Sequence, residues 1–210
     1  MNAATQKITL QGGAGQIEAL IDMPAAAPVG TAVIAHPHPL FGGTMTNKVV
    51  QTLARAFVQT GWRAVRFNFR GVGASEGRYD EGRGEATDML GVIGQVAPQG
   101  PLAVAGFSFG AFVTTQAVAA MAPRQPAKIV LVGTAASRFE VAAIAPDLHE
   151  RTLVLHGELD DTVVLSSVMD WARPQSLPVT VIPGVEHFFH GQLPLLKSLV
   201  VRHLLAPSAS

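Results

Sequence analysis

The strongest chemical signal in the chain is Gly106-Phe107-Ser108-Phe109-Gly110. It follows an apolar run, Leu102–Ala105, and precedes a helical stretch, Ala111–Ala122. A serine on so sharp a strand-to-helix turn presents its hydroxyl away from the sheet. Only small residues fit two places before and two places after it. Amides at the start of the following helix point at the same spot, so the Phe109 N–H can donate to a developing oxyanion. The plainer alternative is a glycine-rich turn with an ordinary N-capping serine. The strand before Ser108 and the helix after it favour the nucleophile.

A serine hydroxyl is a weak nucleophile. It needs a base to take its proton, and the base needs a group that holds its tautomer. The apolar run Leu153–Leu155 ends in His156-Gly157-Glu158-Leu159-Asp160-Asp161, which places two acids just past a strand end. Asp160 is favoured as the orienting carboxylate, and Asp161 reads more readily as an Asx-turn or a helix cap. The last strand, Val179–Ile182, leads into Pro183-Gly184-Val185-Glu186-His187-Phe188-Phe189-His190. His187 lies nearer the strand end and is the expected base. His190 is the rival, expected to begin the last helix.

The loop His36-Pro37-His38-Pro39-Leu40-Phe41-Gly42-Gly43 follows another short strand. A second oxyanion amide is expected from it. Pro37 and Pro39 have no N–H to give. His38, Leu40 and Phe41 do, and Leu40 is the expected donor. The His-x-His pair also invites a metal reading, but no third ligand lies nearby in sequence, so no metal is expected. The alternative role for His36 and His38 is to hydrogen-bond the loop to its neighbours. Asn68 to Gly77 contains G-x-G without a third glycine and opens no helix, which argues against a dinucleotide site. It reads as a tight structural loop flanking the pocket, anchored by Arg70.

The elements that must position these groups alternate along the chain. Lys7–Leu10 and Gln16–Met23 read as an antiparallel hairpin across a Gly-rich turn. Thr31–Ala35, Ala64–Phe69, Leu102–Phe107, Ile129–Gly133, Thr152–His156 and Val179–Ile182 are short apolar runs of the kind buried on both faces. Helices are predicted at Lys48–Gln59, Gly84–Val96, Phe109–Met121, a short one near Phe139–Ala145, Ser166–Ala172 and Leu193–Leu205. The pattern predicts a mostly parallel α/β sheet of about eight strands, helices on both faces, and an antiparallel edge. One domain over residues 1–205 is expected, with a disordered tail at 206–210.

Composition sets the outer limits. The 210 residues are 48% hydrophobic and 14% charged, enough apolar surface for a core. Fifteen basic and fifteen acidic residues cancel, which gives no general attraction to nucleic acid or anionic membranes. There are no cysteines, which excludes disulfides, thiolate metal sites and a cysteine nucleophile. The first residues, MNAATQKITLQGG, lack a signal-peptide pattern, and no run is long and apolar enough to span a bilayer. A soluble, cytoplasmic protein is expected.

Together these residues resemble the α/β-hydrolase superfamily. Within it, the chain is similar to small bacterial hydrolases that carry an HPHPxxGGTMxNKVV segment, here His36 to Val50. Their FNFRGVGxSEGxYDxGxGExxD segment stands here as Phe67 to Asp88. The nucleophile turn matches Gly106 to Gly110, the acid loop His156 to Asp161, and the histidine loop Gly184 to Gly191. The resemblance implies triad roles for Ser108, Asp160 and His187 in that chain order, and acyl transfer to water, most often from esters. It implies no cofactor, and a small-molecule ester as partner, with a homodimer left open. Larger relatives insert a lid before the acid-bearing strand. The short connection from Gly133 to Thr152 leaves no room for one, so an open site is expected. Competing readings are a binding module with a vestigial site, a metal-dependent hydrolase using His36 and His38, and a peptidase or amidase of the same fold. A dehalogenase would need an acid where Ser108 stands.

Overall fold

The computed structural model describes residues 5–206. The tail expected to be disordered lies outside them except for Ala206. Eight strands form one sheet: β1 (Gln6–Gly12), β2 (Gly15–Asp22), β3 (Thr31–Ala35), β4 (Arg63–Phe67), β5 (Leu102–Phe107), β6 (Lys128–Val132), β7 (Thr152–Gly157) and β8 (Val179–Ile182). Their spatial order is β1-β2-β4-β3-β5-β6-β7-β8. β1 pairs antiparallel with β2, and β2 antiparallel with β4. From β4 to β8 every pairing is parallel. The five helices are α1 (Lys48–Gln59), α2 (Arg83–Val96), α3 (Phe109–Ala120), α4 (Leu165–Ala172) and α5 (Leu193–Leu205). No helix among the described residues is long and apolar enough to cross a membrane.

The two faces of the sheet bury different residues, as the period of two in a strand requires. Val33 and Ala35 of β3 and Val104 of β5 pack with Met89 and Val92 of α2, Val113 of α3 and Val168 of α4. Ala32 and Ile34 of β3, with Ala103, Ala105 and Phe107 of β5, pack on the other side against Leu53 and Phe57 of α1 and Leu196 and Val200 of α5. Burial on both faces is why these strands read as continuous apolar runs. α1 starts at an Asn47 side chain that accepts from the Val49 and Val50 amides. The end of α5 is held by Lys128, whose Nζ donates to the His203 and Ala206 carbonyls.

The helix expected near Phe139–Ala145 does not form. The segment is irregular, and a 3-10 turn follows it at Pro146–Arg151. Its backbone groups are satisfied by side chains of other elements instead. Gln116 of α3 donates to the Glu140 carbonyl, Trp171 of α4 to the Ala142 carbonyl, and the Ile144 N–H donates to Gln175. Pro146 also excludes helical geometry at Ala145, which sits at φ −57°, ψ 141°. Residues 133–151 between β6 and β7 therefore contain no lid, only this strip and its closing turn.

Candidate active site

Ser108 sits immediately after β5, at φ 56° and ψ −117°. A positive φ is strained for serine, and here the backbone around it leaves little choice. A Cβ on Gly106 would lie 2.2 Å from the Gly110 carbonyl oxygen, and one on Gly110 would lie 2.5 Å from the Ala35 and His36 carbonyl oxygens. The Ser108 N–H donates to the Val132 carbonyl at 2.8 Å, which ties the turn to β6. The Ser108 side chain makes no capping bond to α3, so the ordinary N-cap alternative fails on geometry. Its hydroxyl is turned toward His187 instead.

The His187 Nε2 lies 3.0 Å from Ser108 Oγ, and the His187 Nδ1 lies 2.6 Å from Asp160 Oδ2. Asp160 Oδ1 accepts from the Thr162 and Val163 amides at 3.1 and 2.7 Å, which fixes the carboxylate's orientation. All three side chains are buried. In the tautomer this geometry favours, Nδ1–H donates to Asp160 and Nε2 is free to accept the serine proton.

The acid and histidine loops are stitched together. The Glu158 N–H donates to the Ile182 carbonyl, the Leu159 N–H to the Val185 carbonyl, and the Gly184 N–H to the Glu158 carboxylate. Gly157 is required where they cross, because a Cβ there would come within 2.3 Å of the Val185 oxygen. Each rival residue lies apart from this chain of bonds. Asp161 is exposed and its carboxylate meets only the Thr162 hydroxyl, at 3.4 Å. His190 is exposed and its ring contacts Glu186. It also precedes the last helix instead of opening it, since α5 begins at Leu193 after an N-capping Gln192.

One residue of this region had no assigned role on sequence grounds. His156 is fully buried beneath the acid loop, and its Nε2 lies 2.9 Å from the Val163 carbonyl and 3.5 Å from Asp160 Oδ2. Its Nδ1 has no partner. A buried lone pair costs less unpaired than a buried N–H, so the proton belongs on Nε2. Burial pushes the His156 pKa down, against the pull of Asp160. The clue in the sequence was its position, at the end of an apolar strand directly before Gly157.

The loop after β3 behaves differently from expectation at Leu40. Pro39–Phe41 form a 3-10 turn in which the Leu40 N–H donates to the His38 ring at 3.2 Å, and the Phe41 N–H to the His38 carbonyl. Both amides are committed to the turn and Leu40 points to solvent, 67% exposed. The His38 N–H has no hydrogen-bond partner among the described residues, and His38 lines the same pocket as Ser108 and Phe109. The Phe109 N–H, first in α3, has no intrahelical carbonyl to reach.

Both ring nitrogens of His36 are occupied. Its Nδ1 lies 2.6 Å from the Pro37 carbonyl, and its Nε2 accepts the Phe69 N–H at 2.9 Å. Burial lowers its pKa to about 4. No lone pair remains to bind a metal, so His36 ties β3's loop to the strand beside it. Arg70 grips Asp88 through two bonds of 2.7 and 2.9 Å, and Asp88 also accepts the Gly13 N–H. The Asn68–Gly77 loop is thus anchored by Arg70, as expected, and braces the β1–β2 hairpin without contributing a side chain to the pocket lining.

The pocket over Ser108 and His187 is walled by Phe41, Phe109, Phe139, Val163 and Phe188, with Asn47, Thr162 and Arg138 as polar groups. No aspartate or glutamate lines it. Burial, then the nearby Arg138 charge, push the His38 pKa down.

Comparison with known proteins places this geometry in context. The serine aminopeptidase S33 family matches residues 28–154, which include the nucleophile turn. The chain is similar to a solved structure from Xanthomonas campestris, XC6422, described as an α/β serine hydrolase without lid. They share 33% identity over 100% of this chain and 99% of that one, with a TM-score of 0.87. It is also similar to an alpha-beta serine hydrolase homologue from Coxiella burnetii, with 38% identity over 96% and 97% of the two chains and a TM-score of 0.81. A curated relative, the uncharacterized protein RP471 of Rickettsia prowazekii, is 29% identical over 87% of this chain and 82% of its own length.

Proposed function

The chain belongs to the serine aminopeptidase S33 family and to the lidless α/β serine hydrolases, and from that premise we propose that it is a carboxylesterase acting on small or exposed acyl esters. The observation that carries the proposal is the continuous series of bonds from Ser108 through His187 to Asp160, at 3.0 and 2.6 Å, on the floor of an open apolar pocket.

Ser108 Oγ attacks the ester carbonyl carbon as its proton passes to His187 Nε2. Asp160 stabilises the imidazolium through Nδ1–H. The carbonyl oxygen, now an anion, is held by the Phe109 N–H and by the His38 N–H, each such donor typically worth about 3 kcal/mol in the transition state. The alcohol departs with the Nε2 proton and leaves an acyl-serine. Water then gives a proton to Nε2 and attacks the acyl carbon, and collapse releases the carboxylic acid and restores Ser108.

An aminopeptidase reading, which the family's description raises, is the second candidate. It needs an acidic group to receive the substrate's terminal ammonium. The pocket lining offers none, and its one charged side chain besides the histidines is Arg138. That favours esters over peptides with a free amino terminus.

A fluorophosphonate probe tests the proposal. Labelling of the wild-type protein that disappears in Ser108→Ala is expected, together with hydrolysis of a graded panel of p-nitrophenyl esters. Folded wild-type protein that neither labels nor cleaves any ester would overturn it. Preferential cleavage of aminoacyl anilides would replace it with the peptidase reading.

A further inference from the structure

The strip after β6 that replaces the expected helix brings a single cation to the mouth of the pocket. Arg138 lines the same cavity as Ser108 and His187. Its guanidinium carbon stands 5.7 Å from the centre of the Phe41 ring, a cation–π arrangement. Among the described residues the Arg138 guanidinium makes no hydrogen bond, its backbone N–H donating to the Ala135 carbonyl, and no carboxylate lies within ion-pair distance of it. This sets it apart from Arg66, Arg70, Arg83 and Arg173, each paired with an acid. The pocket supplies no counter-charge either: Asp160, the nearest acid in the proposed chemistry, is buried behind His187.

We propose that Arg138 receives an anionic group of the substrate, so that the preferred esters carry a carboxylate several bonds away from the scissile carbonyl. This rests on the ester-hydrolase reading above and narrows it to a substrate class. The aromatic walls take the apolar body of the molecule. The guanidinium fork takes the carboxylate, for which its paired donors are matched in spacing. The Phe41 ring gives the guanidinium a cation–π contact at the pocket mouth. Because Arg138 is exposed, its contribution is screened by salt and is expected to weaken as ionic strength rises.

Two pairs of esters test this, one for each side of the scissile bond. The first is p-nitrophenyl hydrogen adipate against methyl p-nitrophenyl adipate, in which a methyl ester masks the distal charge and nitrophenol release reports the same scissile bond in both. The second is 4-carboxyphenyl butyrate against phenyl butyrate. Wild-type protein is expected to prefer the anionic member in at least one pair. In Arg138→Gln that anionic-to-neutral ratio of kcat/KM is expected to fall about tenfold, mostly through KM. Arg138→Lys, which keeps charge but loses the fork, is expected to fall between. Ratios unchanged by Arg138→Gln in both pairs overturn the proposal while leaving the hydrolase reading intact. If no ester is cleaved, the hydrolase reading fails, and calorimetric binding of monomethyl adipate decides the matter alone. Binding weakened in Arg138→Gln supports the anion site, and binding that is equal or missing in both proteins removes it.

Discussion

The floor and the rim of the pocket are built on opposite plans. On the floor, Ser108, His187, Asp160 and His156 are all buried: the Ser108 N–H is tied to the Val132 carbonyl, Asp160 accepts the Val163 N–H, the His156 ring meets the Val163 carbonyl, and His187 is held between the Ser108 and Asp160 side chains. At the rim, Phe41 is 72% exposed and Phe188 is 42% exposed, and both lie on turns. The floor is over-determined, since a shift of one loop would break hydrogen bonds to its partner loop. The rim is anchored more lightly, Phe188 resting on Phe107 and His187 and Phe41 on His38. Chemistry that tolerates little displacement is thereby separated from recognition that can vary.

Substitutions on each side test that division. The largest effect is expected from Asp160→Asn, about 10⁴-fold in kcat, because an amide at this position favours the wrong tautomer of His187. Asp161→Asn next to it should stay within about twofold. Steady-state kinetics on one p-nitrophenyl ester measures both, and a comparable loss in the two variants would break the assignment of the floor.

A smaller loss, about tenfold in kcat, is expected from His156→Leu, which removes the N–H facing Asp160 and Val163. Without that N–H the Asp160 carboxylate is less well fixed against His187, so the loss should fall on kcat and leave KM within about twofold. His156→Gln can place an amide N–H near the position of Nε2 and should restore part of the activity. A lower Tm with unchanged kcat would reduce His156 to a packing role.

Acid should weaken the fold through His36, which ties the loop after β3 to the Phe69 backbone. His36 has a folded pKa of about 4, lowered by burial, against an unfolded value of about 6.5. Between those values the unfolded chain binds the extra proton and the folded one does not. Stability from this group is complete above the unfolded value and is lost as pH falls toward about 4, with no further loss below it. Thermal melts across this window should show Tm falling with pH, and His36→Gln should flatten the slope. The smallest effect belongs to the rim itself. Phe41→Ala should change stability by no more than about 0.5 kcal/mol in denaturant melts, while raising KM for esters.

Legibility in the sequence followed how tightly local sterics constrain the chain. The central strands announced themselves because burial on both faces keeps them mostly apolar, and the observed limits differ from the expected ones by a residue or two, as at Lys128–Val132. The nucleophile turn was readable because Gly106 and Gly110 are forced by backbone carbonyls. Asp160 and His187 could be singled out because each follows the end of a parallel strand, on the edge where such sheets gather their loops. The second oxyanion donor was not legible, because three amides of one short loop compete, and only the closing of the 3-10 turn decides which is consumed. The helix expected near Phe139–Ala145 failed for a related reason. Its alanines suit a helix, but Gln116, Trp171 and Gln175 supply its backbone with distant partners. Arg138 gave no signal, because an isolated arginine in a connection acquires meaning only from the wall it joins.

The shortness of the segment between β6 and β7 also bears on the fate of the acyl-serine in the proposed mechanism. If that intermediate forms, no cap closes over it and bulk water reaches its carbonyl once the alcohol departs. Competing nucleophiles then meet solvent at the same open site, which favours hydrolysis over transfer to a second alcohol.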